Sequence, residues 1–422
     1  MDDEVSGHLH HNDVAQLTRL QSEPHKFFSR RLPGKSILPV SPVGMLARRE
    51  ANFSGHSRFT SADSCHVLSR YLPHNGPHVI DKMNNFGYAS QFSDDGSLLV
   101  AGFRNRRIRI YNVDRGWNVR NEILTKGFYV VDTSLSPDKC FLVYANLSLK
   151  IYAVNVGSAT MESVENITDN HESLNFDAGN VRGHNPHRIF SVKFSTDGRE
   201  LVASCSDSSV YVYDLGEKRL SERVPAHRSS VITACFADES GHVIYSGSDE
   251  GICKVSDRRF IKNGQASGVL VGHLDGVTFI DSRGDGRHFI SNARDQTIKL
   301  WDIRKMSSNL TRHERYSSWQ RNTLRNSRHP NDISLATYKG HEVFGAPIRC
   351  YFSPEKSTGQ KYIYTGSADG SVYIYDLLSG AQVAKLDHHK GIIRDCSWHP
   401  YFPTLVNSSE DGVIAKWDFS AL

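Results

Sequence analysis

Tyr245-Ser246-Gly247-Ser248-Asp249-Glu250-Gly251, followed by Cys253-Lys254-Val255-Ser256-Asp257-Arg258-Arg259, is repeated one unit later. The second copy is Ile290-Ser291-Asn292-Ala293-Arg294-Asp295-Gln296, followed by Ile298-Lys299-Leu300-Trp301-Asp302-Ile303-Arg304. Each copy is a short apolar strand, a tight polar turn carrying Asp, and an alternating strand that ends on an aromatic-Asp step or its remnant. That combination is a β-hairpin signature. In both copies an Arg stands two residues after the final Asp.

The pattern extends outward in both directions. A strand end followed by a turn recurs at Phe92-Ser93-Asp94-Asp95-Gly96, Ser136-Pro137-Asp138, Phe194-Ser195-Thr196-Asp197-Gly198, Phe236-Ala237-Asp238, Ser282-Arg283-Gly284-Asp285-Gly286, Phe352-Ser353-Pro354 and Trp398-His399-Pro400. The end of an alternating strand recurs at Tyr111-Asn112, Tyr152-Ala153, Tyr213-Asp214, Ser256-Asp257, Trp301-Asp302, Tyr375-Asp376 and Trp417-Asp418. The ordinary spacing, about 41 to 45 residues, is the period of propeller repeats with four strands per blade. The expected fold is therefore all-β, a seven-bladed β-propeller over 76–422. Two longer gaps, near 156–181 and 305–337, begin just after a strand ends and read as surface insertions. A strand near Gly76 to Lys82 is expected to complete the blade begun by Asp395 to Asp418, which removes the sheet edges of a linear array.

Residues 1–75 lack the repeat and read as a short, partly helical N-terminal segment. Val14, Leu17 and Leu20 have helical spacing within 11–21, and Ser41-Pro42 reads as an N-cap and first helical residue before Met45-Leu46-Ala47. His8, His10 and His11 lack a second ligand cluster at useful spacing, so no metal is expected. The chain has 422 residues, 38% hydrophobic and 23% charged, with net charge +4, too weak a basicity to argue for nucleic acid. Seven cysteines without a Cys-x-x-Cys pair point to free thiols in a reducing compartment, and the expected location is nucleus and cytoplasm. No apolar run approaches the ~18 residues of a membrane helix. The acidic start Met1-Asp2-Asp3-Glu4 does not read as a secretory signal.

Gly183-His184, Ala226-His227, Gly272-His273 and Gly340-His341, each followed downstream by Trp-Asp, Tyr-Asp or its remnant, resemble WD40 repeats. A His in the loop before a strand can bond the Asp of the next hairpin turn, with a strand hydroxyl and an aromatic ring completing the network. The expected sets are His273, Asp295, Ser291 and Trp301 in unit five; His341, Asp369, Thr365 and Tyr375 in unit six; and His389, Asp411, Ser408 and Trp417 in unit seven. One such set invites a hydrolase reading, but recurrence in successive blades points to scaffolding. Met83 stands where unit one would carry its His, and unit two lacks both the His and the turn Asp.

With no phosphate-cradling loop, zinc spacing or unrepeated nucleophile–base pair, neither cofactor nor catalysis is expected, and function must come from docking sites. Asp257 with Arg259 and Asp302 with Arg304 would sit on the face opposite the His loops and could hold carboxylates or carbonyls of another protein. Two adjacent copies resemble the WDxR boxes of cullin-4 ubiquitin-ligase substrate receptors. More closely, the chain is similar to the cullin-4-associated factor eleven family and its plant LEC-fourteen-B members. The residues that carry this are the two boxes, Gly272-His273-Leu274-Asp275-Gly276, Leu32-Pro33-Gly34-Lys35 and Arg49-Glu50-Ala51-Asn52. The resemblance implies a non-catalytic substrate-recognition subunit that binds the ligase's propeller adaptor, the large damaged-DNA-binding protein. No direct nucleic-acid or membrane contact is implied. Ser256 stands where the first box should have Trp, and loss of a buried indole can cost about 3–5 kcal/mol, so Arg259 is expected to be less well aimed.

Two further expectations concern partners. Leu17 and Leu20 have no place in the propeller and are assigned to adaptor binding. Arg104, Arg188, Arg228 and Arg294 fall in or near turns on the His-loop side, where they would form a positive rim for an acidic or phosphorylated substrate. The rival readings are a chromatin or signalling scaffold without a ligase link, and a propeller hydrolase.

Overall fold

A computed structural model describes residues 72–127, 129–157, 171–176, 187–263, 268–307 and 328–419. The helices read over 11–21 and 41–50, with Leu17 and Leu20, lie outside them. The described strands form seven four-stranded antiparallel sheets, the blades of a propeller. In the first six blades an inner strand, two central strands and an outer strand follow in chain order. Blade four is Val231–Phe236, Val243–Ser248, Cys253–Asp257 and Gly268–Leu270; blade five is Val277–Ser282, His288–Ala293, Thr297–Asp302 and Ala336–Lys339.

The recurring Ser-x-Asp motif at the end of the inner strand has a local mechanism. The Ser93 hydroxyl donates to Asp95 and accepts the Leu98 N–H that opens the next strand. Ser136 with Asp138 and Phe141, and Ser195 with Asp197 and Glu200, repeat the arrangement. The short side chain thus replaces backbone partners where the chain reverses.

Inner strands leave one row of N–H groups outside the ladder, and an unpaired buried N–H is costly. Side chains of the preceding blade accept them. The Asp132 carboxylate takes the Val192 N–H, Asp281 takes Phe352, and Asp395 takes Ser90. Ser134, Ser191, Thr233 and Ser397 do the same for Phe194, Ala234, Ile280 and Phe92. The polar residues of strands that otherwise read as core are therefore the seams between blades.

The ring closes as expected. Asn75–Lys82 pairs with Val413–Asp418 as the outer strand of blade seven. Met83 N–H donates to the Gly412 carbonyl at 2.8 Å. Gly412 has φ +81°, and a Cβ there would lie 2.0 Å from the Met83 carbonyl, so only glycine fits this junction. The insertion boundaries need correction. His171–Asn175, inside 156–181, is the outer strand of blade two, and Ala336–Lys339, reaching into 305–337, is that of blade five. Outer strands bury few side chains and carry little hydrophobic pattern, which hid both.

Candidate protein-docking site

The His networks divide between blades. In blade five the expected set is complete. His273 Nδ1 meets Asp295 Oδ2 at 3.0 Å, its Nε2 meets Ser291 Oγ at 2.6 Å, and Trp301 Nε1 donates to the same oxygen at 2.7 Å. Burial alone would raise the Asp295 carboxyl; the His273 imidazole, the Leu274 N–H and the Thr297 hydroxyl outweigh it and hold it at about 2. His273, Ser291 and Trp301 are buried and mutually satisfied, as a buried polar network requires. Blade four keeps the first part of the arrangement, with Glu250 as the acid: His227 contacts Glu250 at 2.7 Å and Ser246 at 2.9 Å.

Blades six and seven depart from the expected sets. His341 bonds Tyr375 OH at 3.2 Å and Asn292 Oδ1 of blade five at 3.0 Å, while Asp369 takes the Tyr373 hydroxyl and Lys385. Thr365 Oγ donates to backbone carbonyls instead. The longer loop His341-Glu342-Val343-Phe344-Gly345 displaces the imidazole from its own turn acid. In blade seven His389 meets Asp411 at 2.9 Å as expected, but its second nitrogen meets Asn407, not Ser408, whose hydroxyl points to the Asp395 carbonyl. A one-residue slip along a strand exchanges its two faces. Trp417 Nε1 has no hydrogen-bond partner among the described residues.

The two Arg boxes share one geometry. Each Asp ends the third strand of its blade, and a 3-10 helix follows, Arg258–Asn263 or Ile303–Lys305. Asp302 accepts the Arg304 N–H at 3.0 Å and receives its guanidinium at 2.9 Å. Asp257 accepts the Arg259 N–H at 3.0 Å and its guanidinium at 2.6 Å, which holds that carboxyl below the usual carboxylate range. Both Arg side chains are 58% exposed. The expectation that Ser256 leaves Arg259 poorly aimed does not hold for this geometry, because the aim is set by the Asp and the helix turn. The box aspartates do differ. Asp302 is 2% exposed and also holds Arg287 at 2.8 Å, whereas Asp257 is 14% exposed.

Neighbouring residues divide the work. Arg258 reaches back to Glu200 and Glu222 of blade three, at 2.6 and 3.0 Å, and fastens the box to the ring. Phe260, 73% exposed, lies beneath the Arg259 guanidinium at 5.8 Å. Sequence reading passed over Phe260, although an aromatic directly after the box was the available signal. The boxes are also tied to each other: Ser307, just past the second box, exchanges backbone hydrogen bonds at 2.9 and 3.0 Å with Val269 in the outer strand of blade four.

On the opposite face the four expected arginines belong to different blades. Arg294 is paired with Asp249. The Arg228 and Arg188 backbone N–H groups bond Glu250 and Ser206 Oγ, and both side chains are exposed. Arg104 lines a cavity at the mouth of the central channel. Among the described residues no His, Cys, Asp and Glu group could hold a metal ion, and the described cysteines are free thiols.

The profile of the WD domain, G-beta repeat, matches residues 178–214, 264–302, 333–376 and 380–418. The chain is 57% identical to a LEC14B homolog of Prunus armeniaca over 99% of its own length and 89% of that protein. It is 57% identical to the LEC14B protein of Lithospermum erythrorhizon, covering 97% and 88%. With a DDB1- and CUL4-associated factor 11 homolog of Caenorhabditis elegans it shares 33% identity over 98% of this chain and 74% of that one. This seven-bladed chain thus belongs to the WD40-repeat family of the LEC14B proteins and the DDB1- and CUL4-associated factor 11 homologues.

Proposed function

We propose that the protein is a non-catalytic substrate receptor of a cullin-4 RING ubiquitin ligase and that its paired boxes dock the ligase's propeller adaptor. One observation carries the reading: two exposed guanidiniums, Arg259 and Arg304, are each fixed by a partly or fully buried Asp in adjacent blades whose backbones are bridged. Fixed arginines lose less entropy on docking than mobile ones. The names of the nematode relatives, which couple DDB1 with CUL4, support the identity of the partner. The mechanism is proximity. One face engages the adaptor while the other holds a substrate near the charged ubiquitin carrier, which turns a bimolecular transfer into an effectively local one.

The test is co-purification of the adaptor with wild-type protein, Arg259→Ala, Arg304→Ala and the double variant, with thermal melts alongside. Loss of adaptor from the folded double variant supports docking through the boxes. Retention by the double variant moves docking to another surface, and absence of adaptor from wild type leaves a scaffold without a ligase link.

A further inference from the structure

The inner strands surround a central channel whose mouth, on the face opposite the boxes, opens into a cavity of about 420 Å3. That lies within the range of about 300–1,000 Å3 usual for ligand pockets. Its walls are apolar, built from Val130, Phe190, Ile232 and Phe279. The floor is closed by Arg349, which donates to Asp132 at 2.8 Å, to Asp395 at 3.0 Å and to the Val131 carbonyl at 3.1 Å. With its charge already satisfied, the floor has no call on a charged ligand, and a neutral apolar side chain suits the space above it.

The rim differs. Arg104 stands between the rings of Phe86 and Tyr129, at 5.2 and 5.0 Å from their centres, and donates to the Tyr129 hydroxyl at 3.2 Å. Among the described residues it forms no ion pair. The other rim arginine, Arg394, is stacked on Tyr88 at 4.4 Å and already holds Glu410 at 2.6 Å. Glu410, which pairs with Arg394, also acts on Arg104 electrostatically but does not touch it, so the guanidinium held by the two rings keeps donors for a carboxylate supplied from outside. Two rim cations disfavour Lys or Arg at the same place.

We infer that the channel mouth is the receptor site for a protein segment that seats an aromatic or branched aliphatic side chain in the cavity and places a nearby carboxylate on Arg104. This rests on the substrate-receptor reading and names the chemical class of that substrate. Arg104 is the electrostatic anchor, and Phe190, Ile232 and Phe279 select for apolar shape. Arg188, Arg228 and Arg294 take no part in this site.

The experiment is fluorescence anisotropy of the full chain with labelled hexapeptides. Each peptide pairs Leu, Ile, Phe or Trp with Asp or Glu at spacings of one to three residues. Matched panels carry Asn or Gln, or Lys, at the acidic position. Acidic members bind at least about tenfold more tightly than their amide matches, the increment of a charge-assisted hydrogen bond. Arg104→Gln abolishes that preference, Arg104→Lys keeps part of it, and Ile232→Glu weakens every apolar peptide. Melting curves and adaptor capture are recorded for each variant. The inference is overturned if no acidic peptide outbinds its amide match, if the Lys panel is preferred, or if Arg104→Gln leaves the preference unchanged. Those results with adaptor capture intact sink this site alone. Loss of capture in the box variants, with peptide selectivity retained, concerns only the docking face.

Discussion

Arg304 and Arg259 ask little of the fold beyond a fixed aspartate, and the two aspartates are fixed to different degrees. Asp302 is buried and shared with Arg287, so removal of Arg304 leaves its carboxylate paired and the box in place. Arg304→Ala is therefore expected to weaken adaptor binding by about 2 kcal/mol or more, as for an interface Arg in a desolvated centre. Its melting temperature should stay close to wild type. Arg259→Ala, on a less buried aspartate, should cost less. Binding isotherms on the two variants decide the order, and a larger loss for Arg259→Ala would reverse this account of preorganisation. His341 offers a second test at this scale. Burial lowers its imidazole to about 4, against the opposing pull of Asp295 and Asp369. A His whose folded pKa lies below its unfolded value of 6.5 contributes stability above pH 6.5 and loses it as pH falls towards 4, because the unfolded chain binds the proton first. Asp281, raised by burial to about 7, acts in the opposite direction over much of that window, so the wild-type profile alone cannot isolate the imidazole. His341→Gln should be less stable than wild type at pH 7.5. The deficit should shrink by up to about 1.4 kcal/mol per pH unit below pH 6.5. Denaturant titrations at pH 7.5, 6 and 5 measure it, and a constant deficit would mean that the imidazole is not held neutral.

At the scale of elements, what the sequence revealed followed what repeats. Turn acids, inner strands and third-strand ends recur at regular spacing, so the blades, the closing strand and both boxes were legible. Outer strands such as His171–Asn175 were not, since only His171 and Leu174 of that strand are buried, which leaves no alternation to read, and the connections before outer strands vary in length. The one-residue error at Ser408 has the same root: alternation assigns a face only once the register is known. The bridge between the boxes was also invisible, because Val269 and Ser307 carry no pattern that marks them as partners. Yet that bridge dictates a residue. A Cβ on Gly268 would lie 2.1 Å from Met306 Sδ and 2.9 Å from Met306 Cβ, so the base of that side chain must move as well as its tip. Gly268→Val should push Met306 and Ser307 away from blade four and loosen the chain leaving the second box. Adaptor affinity should fall several-fold, with little change at the Asp302–Arg304 pair itself. Hydrogen exchange at the Val269 and Ser307 amides would report the opening, and unchanged protection would dismiss the bridge as a coupling element.

At the scale of the molecule, the propeller stays closed because its last blade borrows a strand from the start of the described chain. Asn75–Lys82 supplies a ladder to Val413–Asp418, and Leu72 packs among Tyr362, Tyr364, Val372 and Trp417 of blades six and seven. Without that strand, the third strand of blade seven becomes an exposed edge, and the seam held by Asp395 and Ser397 against blade one loses its support. Truncations on either side of Leu72 therefore separate two roles. Removal of residues 1–60 leaves the ladder and the Leu72 contact, so the ring should melt as wild type does. If Leu17 and Leu20 form a second anchor for the adaptor, the same truncation should weaken adaptor capture. Removal of residues 1–82 takes away the ladder, the Leu72 contact and the bonds of Asp81 to Arg109 and Tyr111. At about 1 kcal/mol for each of several hydrogen bonds, plus the lost apolar contact, the melting temperature should fall by roughly 10 °C or more. Association through the open edge should appear on size exclusion. If the longer truncation melts like wild type and stays monomeric, the borrowed strand is not what closes the ring. If the shorter one melts early, the ring depends on residues before Leu72, and a fall in adaptor capture could no longer be assigned to Leu17 and Leu20.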